Sequence, residues 1–175
     1  SDLDDLIELW GSLEAATTIN LHGGDGDDVM RVWGSVKAVS FTLNGDDGND
    51  TIALNPEHAT AGFNAAHDLA LMANTFINGG AGEDTLLINH LAAMTTSHNG
   101  TRDQIRMDGG GGTDQYIVNM RGGSDYIVSI NDSGLPNDGA DQLTINGTDS
   151  ADTFLLRRYF VASLQENIQT DTGES

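Results

Sequence analysis

Gly23-Gly24-Asp25-Gly26-Asp27-Asp28-Val29-Met30-Arg31 is the stretch whose reading decides the fold. Its three glycines permit a tight polar turn and an aspartate closes it. Apolar and polar residues then alternate, as along a strand with one buried face. The same order of residue types returns at Gly79-Gly80-Ala81-Gly82-Glu83-Asp84-Thr85-Leu86-Leu87 and at Gly109-Gly110-Gly111-Gly112-Thr113-Asp114-Gln115-Tyr116-Ile117. A variant, Gly45-Asp46-Asp47-Gly48-Asn49-Asp50-Thr51-Ile52-Ala53, changes only the second glycine.

Outward from these loops the chain keeps repeating. Asp5-Leu6-Ile7-Glu8-Leu9-Trp10-Gly11-Ser12 lines up with Asp28-Val29-Met30-Arg31-Val32-Trp33-Gly34-Ser35. A helix over residues 3–14 would gather Leu3, Leu6, Ile7 and Trp10 on one face, but the parallel with residues 28–35 favours a strand. Further copies begin at Asp50, Asp84, Asp103, Asp114, Asp125, Asp141 and Asp152. Asp103 to Asp114, Asp114 to Asp125 and Asp141 to Asp152 are each 11 residues, and Asp28 to Asp50 is 22. The unit is thus a half-coil of 11 residues, with a turn lacking aspartate around Val36-Lys37-Ala38.

The longer gaps read as insertions at 56–73, 90–99 and 131–138. The first contains Ala65-Ala66-His67-Asp68-Leu69-Ala70-Leu71-Met72-Ala73, good helix formers that suggest a short surface helix. After Leu156, Arg157 to Ala162 would add a last strand or cap, and residues 165–175 a frayed tail. Turn length sorts the aspartates onto two edges. Full glycine loops precede Asp28, Asp50, Asp84 and Asp114, and a degenerate one precedes Asp152. Shorter turns precede Asp103, Asp125 and Asp141, which places those three on the opposite edge.

Composition narrows the partners. Seven basic residues face 27 acidic ones, a formal net charge of −20, with 6 % aromatic residues and 22 glycines. Such a chain would ordinarily be disordered. The acids, however, recur at turn positions where bound cations could neutralise them. The charge argues against nucleic acid and anionic membrane surfaces, and no stretch is long and apolar enough to span a bilayer. Without cysteine there is neither a disulfide framework nor a thiolate metal site. The five histidines have no metal-ligand spacing, and no nucleophile–base constellation stands out, so the expectation is a protein that is not an enzyme. Trp10 and Trp33 are expected to stack inside the coil, with a carbohydrate platform as the alternative. A chain that opens Ser-Asp-Leu-Asp-Asp reads as a piece of a longer one whose other parts carry the export signal.

The nonapeptide G-G-x-G-x-D-x-U-x and its regular recurrence resemble the RTX, or haemolysin-type calcium-binding, repeat family. The resemblance implies an all-β, right-handed parallel β-solenoid (a β-roll) over residues 1–164. Each calcium ion would be shared between loops of successive coils about 4.8 Å apart. Carried over by position, the ligands would be the carbonyls of Gly24 and Asp25, Gly80 and Ala81, and Gly110 and Gly111, with the carboxylates of Asp28, Asp50, Asp84 and Asp114. Asp46 replaces the second glycine, which puts that loop's backbone in question while leaving its carbonyl. Asp125, Asp141 and Asp152 close glycine-poor loops and complete the set of metal candidates.

The family also implies a context: a secreted or cell-surface bacterial protein whose module folds and stiffens on extracellular calcium, as in a large adhesin. Its partners would be calcium, a glycan or cell-surface ligand, and a flanking solenoid or enzyme domain. The alternatives are an accessory module of a secreted protease, lipase or epimerase, and a β-helix enzyme acting on polysaccharides.

Overall fold

The computed structural model describes residues 2–15, 17–56, 69–90, 104–120, 127–149, 151–157 and 160–164. Two parallel sheets hold twelve of the fourteen strands among the described residues. One contains β1 (Leu6–Leu9), β4 (Val29–Val32), β6 (Thr51–Leu54), β8 (Thr85–Asn89), β10 (Gln115–Asn119) and β12 (Gln142–Asn146), hydrogen-bonded in that order. The other runs from β11 (Ile127–Asn131) through β9 (Gln104–Gly111), β7 (Ala70–Ala81) and β5 (Ser35–Asp47) to β2 (Ser12–Glu14), with β3 (Thr18–Asp25) also paired to β5. The chain passes back and forth between the sheets, so each circuit lays one strand beside its predecessor in both. No helix occurs among the described residues.

Alternation puts one side of every strand inward. Met30, Ile52, Leu86 and Tyr116 are in register and buried, as are Val32, Leu54, Ile88 and Val118. On the facing sheet Leu43, Ile77 and Met107 form a matching row, beside Phe41 and Ile105. Stacking like on like buries a narrow apolar core with few aromatic residues, which is how a weakly hydrophobic chain acquires one.

Several expectations change in the structure. Val36-Lys37-Ala38 is not a turn but part of β5; Val36 and Ala38 are buried and the register shifts between Lys37 and Ser40. Ala70 to Ala73 is strand rather than helix, because Leu71 and Ala73 fill core positions opposite β5. Propensity yields to burial there. The rest of the helix expected over 65–73, the excursion expected over 90–99 beyond His90, and the tail expected over 165–175 lie outside the described residues. At the C-terminal end β13 (Thr153–Arg157) pairs antiparallel with β14 (Phe160–Leu164), a hairpin separate from both sheets. Trp10 and Trp33 stack with ring centroids 4.1 Å apart, but not inside the coil as expected, since neither belongs to the core cluster. Trp33 is 5 % exposed and donates from Nε1 to the Pro56 carbonyl at 2.9 Å, while Trp10 is 45 % exposed.

Candidate metal centre

The glycine loops lie one above another where the chain leaves the second sheet for the first. Their closing aspartates form a chain of hydrogen bonds along the stack. The Asp5 amide donates to Asp28 Oδ1 at 2.6 Å, and the Asp28 amide to Asp50 Oδ1 at 2.8 Å. The series continues from Asp50 to Asp84 at 2.8 Å, Asp84 to Asp114 at 2.9 Å and Asp114 to Asp141 at 3.0 Å. The sequence separations are 23, 22, 34, 30 and 27 residues, so inserted residues change the path but not the stacking.

Each carboxylate uses one oxygen in this way. The other, Oδ2 of Asp28, Asp50, Asp84 and Asp114, is buried and meets no donor. These four residues are at most 1 % exposed. Each Oδ2 fills the space that a Cβ would need on the first glycine of its own loop: Gly23, Gly45, Gly79 and Gly109. For the first three, the carbonyl oxygen of the next loop's first glycine closes on the same point. Acceptors are therefore crowded into a spot without a hydrogen to share. Burial pushes the carboxyls of Asp50 and Asp114 up from their ordinary value and that of Asp84 to about 7, with neighbouring acids adding to the rise. A buried carboxylate oxygen with no hydrogen to accept calls for a proton or a cation, and hard oxygens are the donors that hard divalent cations take.

A contrast within the molecule sharpens this. At the far ends of the first sheet's strands, Asn55, Asn89, Asn119 and Asn146 also stack. Asn119 donates to Asn89 Oδ1 at 3.0 Å, Asn146 to Asn119 Oδ1 at 2.6 Å, and Asn89 to the Asn55 carbonyl at 3.1 Å. Amide ladders supply their own donors. Carboxylate ladders do not.

The remaining sequence candidates fall into place differently. Asp46 adopts φ 79°, as its glycine counterparts adopt 110° at Gly24, 123° at Gly80 and 98° at Gly110, so the replaced glycine leaves the loop's backbone intact. Its carboxylate lies 2.9 Å from His22 Nδ1. The carbonyls of Ala81 and Gly111 accept from the Gly48 and Gly82 amides of the preceding loops at 2.8 and 2.7 Å, so each has one lone pair already engaged. Those of Gly80 and Gly110 lie against the glycine stacked on them, Gly110 and Gly134. Gly24 and Asp25 pair in register with Asp46 and Asp47.

Asp141 is a correction. Short-turn grouping placed it opposite Asp114, whereas the structure stacks it directly on Asp114, with Gln142 beside Gln115. The excursion 131–138 lengthens one half-circuit without adding another. Asp152 leaves the stack: its carboxylate accepts from the Thr148 amide at 2.6 Å within its own loop. Asp125 lies outside the described residues. Sequence reasoning missed Asp132, whose carboxylate lies with those of Asp114 and Asp141 in a group with oxygens within 4.8 Å of one another. It also missed a second capping row: Asp4 accepts from the Asp27 amide at 3.0 Å, Asp27 from Asn49 at 2.8 Å and Asn49 from Glu83 at 2.8 Å. Recurrence of a side-chain acceptor at the fifth loop position was the available signal.

The chain matches no protein-family model, no curated protein and no solved structure. The class defined by fold and site is an all-β protein of parallel sheets with acidic residues grouped so that they could hold a metal ion.

Proposed function

We propose that this chain is a right-handed parallel β-solenoid of the RTX type, a calcium-binding structural module of a secreted or cell-surface bacterial protein. Calcium drives its folding and stiffens it, and the module performs no catalysis. The observation that carries the reading is the row of four buried Oδ2 atoms, on Asp28, Asp50, Asp84 and Asp114, that meet no donor. Leaving buried acceptors unpaired costs about 1–3 kcal/mol each and more for charged groups. In a chain of net charge −20, that cost falls due whenever calcium is scarce. Extracellular calcium then shifts the balance by binding the folded state alone. A large adhesin is the host that insertion-rich repeats suit best.

The test is circular dichroism of the chain in excess chelator and in millimolar calcium. The expected result is a β signal that grows with calcium and shrinks on chelation, the chain in chelator being only marginally folded. Identical spectra in both would overturn the reading.

A further inference from the structure

We infer that the C-terminal end of the aspartate row carries a separate site for one hard divalent cation of the calcium type, built by Asp114, Asp132 and Asp141. The register shows how it arises. Asn131 pairs with Asp108, so Asp132 occupies the place that Gly109 holds in the loop before it. Gly139 then lies against the Gly112 carbonyl, and the Ala140 amide donates to Thr113 Oγ1 at 3.4 Å, which brings the chain to Asp141 above Asp114. In the four glycine loops the first position is glycine, and the loop brings one buried carboxylate to the spot. The last loop brings a carboxylate at its first position as well as at its closing one.

Three oxygens, one from each residue, lie within 4.8 Å of one another. A single ion with calcium–oxygen distances of about 2.3–2.6 Å spans that separation. Asp114 is fully buried, its Oδ1 is occupied by the Asp84 amide and its Oδ2 has no donor. Asp132 and Asp141 are exposed, and an oxygen of each lies within 4.8 Å of the other's and of Asp114's. Three carboxylates at that spacing repel one another, and a cation among them removes the repulsion. The ion pairs among the described residues, Arg31–Glu8, Lys37–Glu14 and His22–Asp46, all lie elsewhere. Asp108 and Asp138 add negative charge from the flanks, Asp108 by accepting from the Ser133 amide and Asp138 from the Leu135 amide. An ion here would fasten the 132–141 loop over the last complete circuit, which closes the stack at this end.

The inference shares Asp114 with the reading above and goes beyond it by adding Asp132 and Asp141, because the loops closed by Asp28, Asp50 and Asp84 could be empty while this group is filled. Bound calcium per chain is measured by equilibrium dialysis at millimolar calcium for the natural chain, Asp132→Asn and Asp141→Asn, with circular dichroism confirming equal β content. Asn keeps the size of the side chain, and at 141 it keeps the Oδ1 that accepts from Asp114. The expected result is the loss of one equivalent of calcium, or at least a tenfold weakening of one equivalent, in both variants. Unchanged stoichiometry and affinity in Asp132→Asn would overturn the end site while leaving the loop sites standing. A natural chain that binds one equivalent, lost in Asp132→Asn, would support the end site and sink the loop sites.

Discussion

The amide of Asp50 donates to Oδ1 of Asp84 at 2.8 Å although 34 residues separate them, and Asp84 Oδ2 is buried beside that bond with no donor. One carboxylate therefore both holds two circuits together and leaves an electrostatic deficit between them. The structural and the metal-binding roles of the aspartate are carried by different oxygens of the same group, and they can be separated by substitution.

Asp50→Asn separates them. Asn retains the oxygen that accepts from Asp28 and puts an amide nitrogen where the unpaired Oδ2 stood, against the Gly79 carbonyl. In chelator the variant should be more stable than the natural chain by about 1–3 kcal/mol, the cost of an unsatisfied buried acceptor. Its gain in stability on adding calcium should shrink. Urea melts with and without calcium read both quantities, and a less stable variant in chelator would refute the deficit.

Asp84→Ala removes both oxygens and strands the Asp50 amide, so a loss of roughly 1.5–3 kcal/mol is expected even with calcium present. Asp47→Ala, in an exposed loop position, should change stability by no more than about 0.5 kcal/mol. The calcium midpoint should move at least tenfold in the first and stay in place in the second. Equal shifts in calorimetric titrations would mean diffuse charge screening in place of sited ions.

The pH dependence in chelator follows from the raised carboxyls. Asp50, Asp84 and Asp114 bind protons more readily folded than unfolded, where their value is near 3.8. The folded chain thus holds extra protons in that interval, and stability must fall as pH rises. The contribution is complete below pH 3.8 and, for Asp84, is lost as pH passes about 7. Melting temperature in chelator should be lower at pH 8 than at pH 5. Saturating calcium should reverse the trend, since the ion binds the deprotonated form. A melting temperature that rises with pH in chelator would contradict the burial of these groups.

Gly45→Ala tests the crowding directly. A Cβ there would collide with Asp50 Oδ2 and with the Gly79 carbonyl. The expected cost is about 3 kcal/mol, the upper end of the overpacking range. Gly11→Ala meets no atom within 4 Å of its Cβ, although its φ of 88° still strains an alanine, so its cost should be smaller. Thermal melts of the two variants in calcium decide between crowding and backbone strain.

Much of this architecture was legible in the chain itself. Alternation from Val29, Thr51, Thr85 and Gln115 marks short strands, and recurring glycines with a closing aspartate mark the loops that stack. The 11-residue register even contained the right answer for Asp141, because Asp125 to Asp141 is one lengthened half-circuit, but turn length was a misleading guide to the edge. A turn's glycine content reports local backbone geometry, whereas the edge depends on how many times the chain has crossed between sheets. Ala70 to Ala73 differs for a related reason: four residues of helix-forming type carry less weight than two core positions, Leu71 opposite Val36 and the buried Ala73.

The sequence by itself determined most of the strands, the glycine loops and four of the stacked aspartates, Asp28, Asp50, Asp84 and Asp114, since these rest on local dihedral preference and on a period of two. Only the tertiary structure decided which oxygen of each aspartate is spent on the neighbouring circuit, and that Asp132 joins Asp114 and Asp141. Those facts depend on the register between strands 22 to 34 residues apart, where insertions of unequal length must close before any two carboxylates can meet.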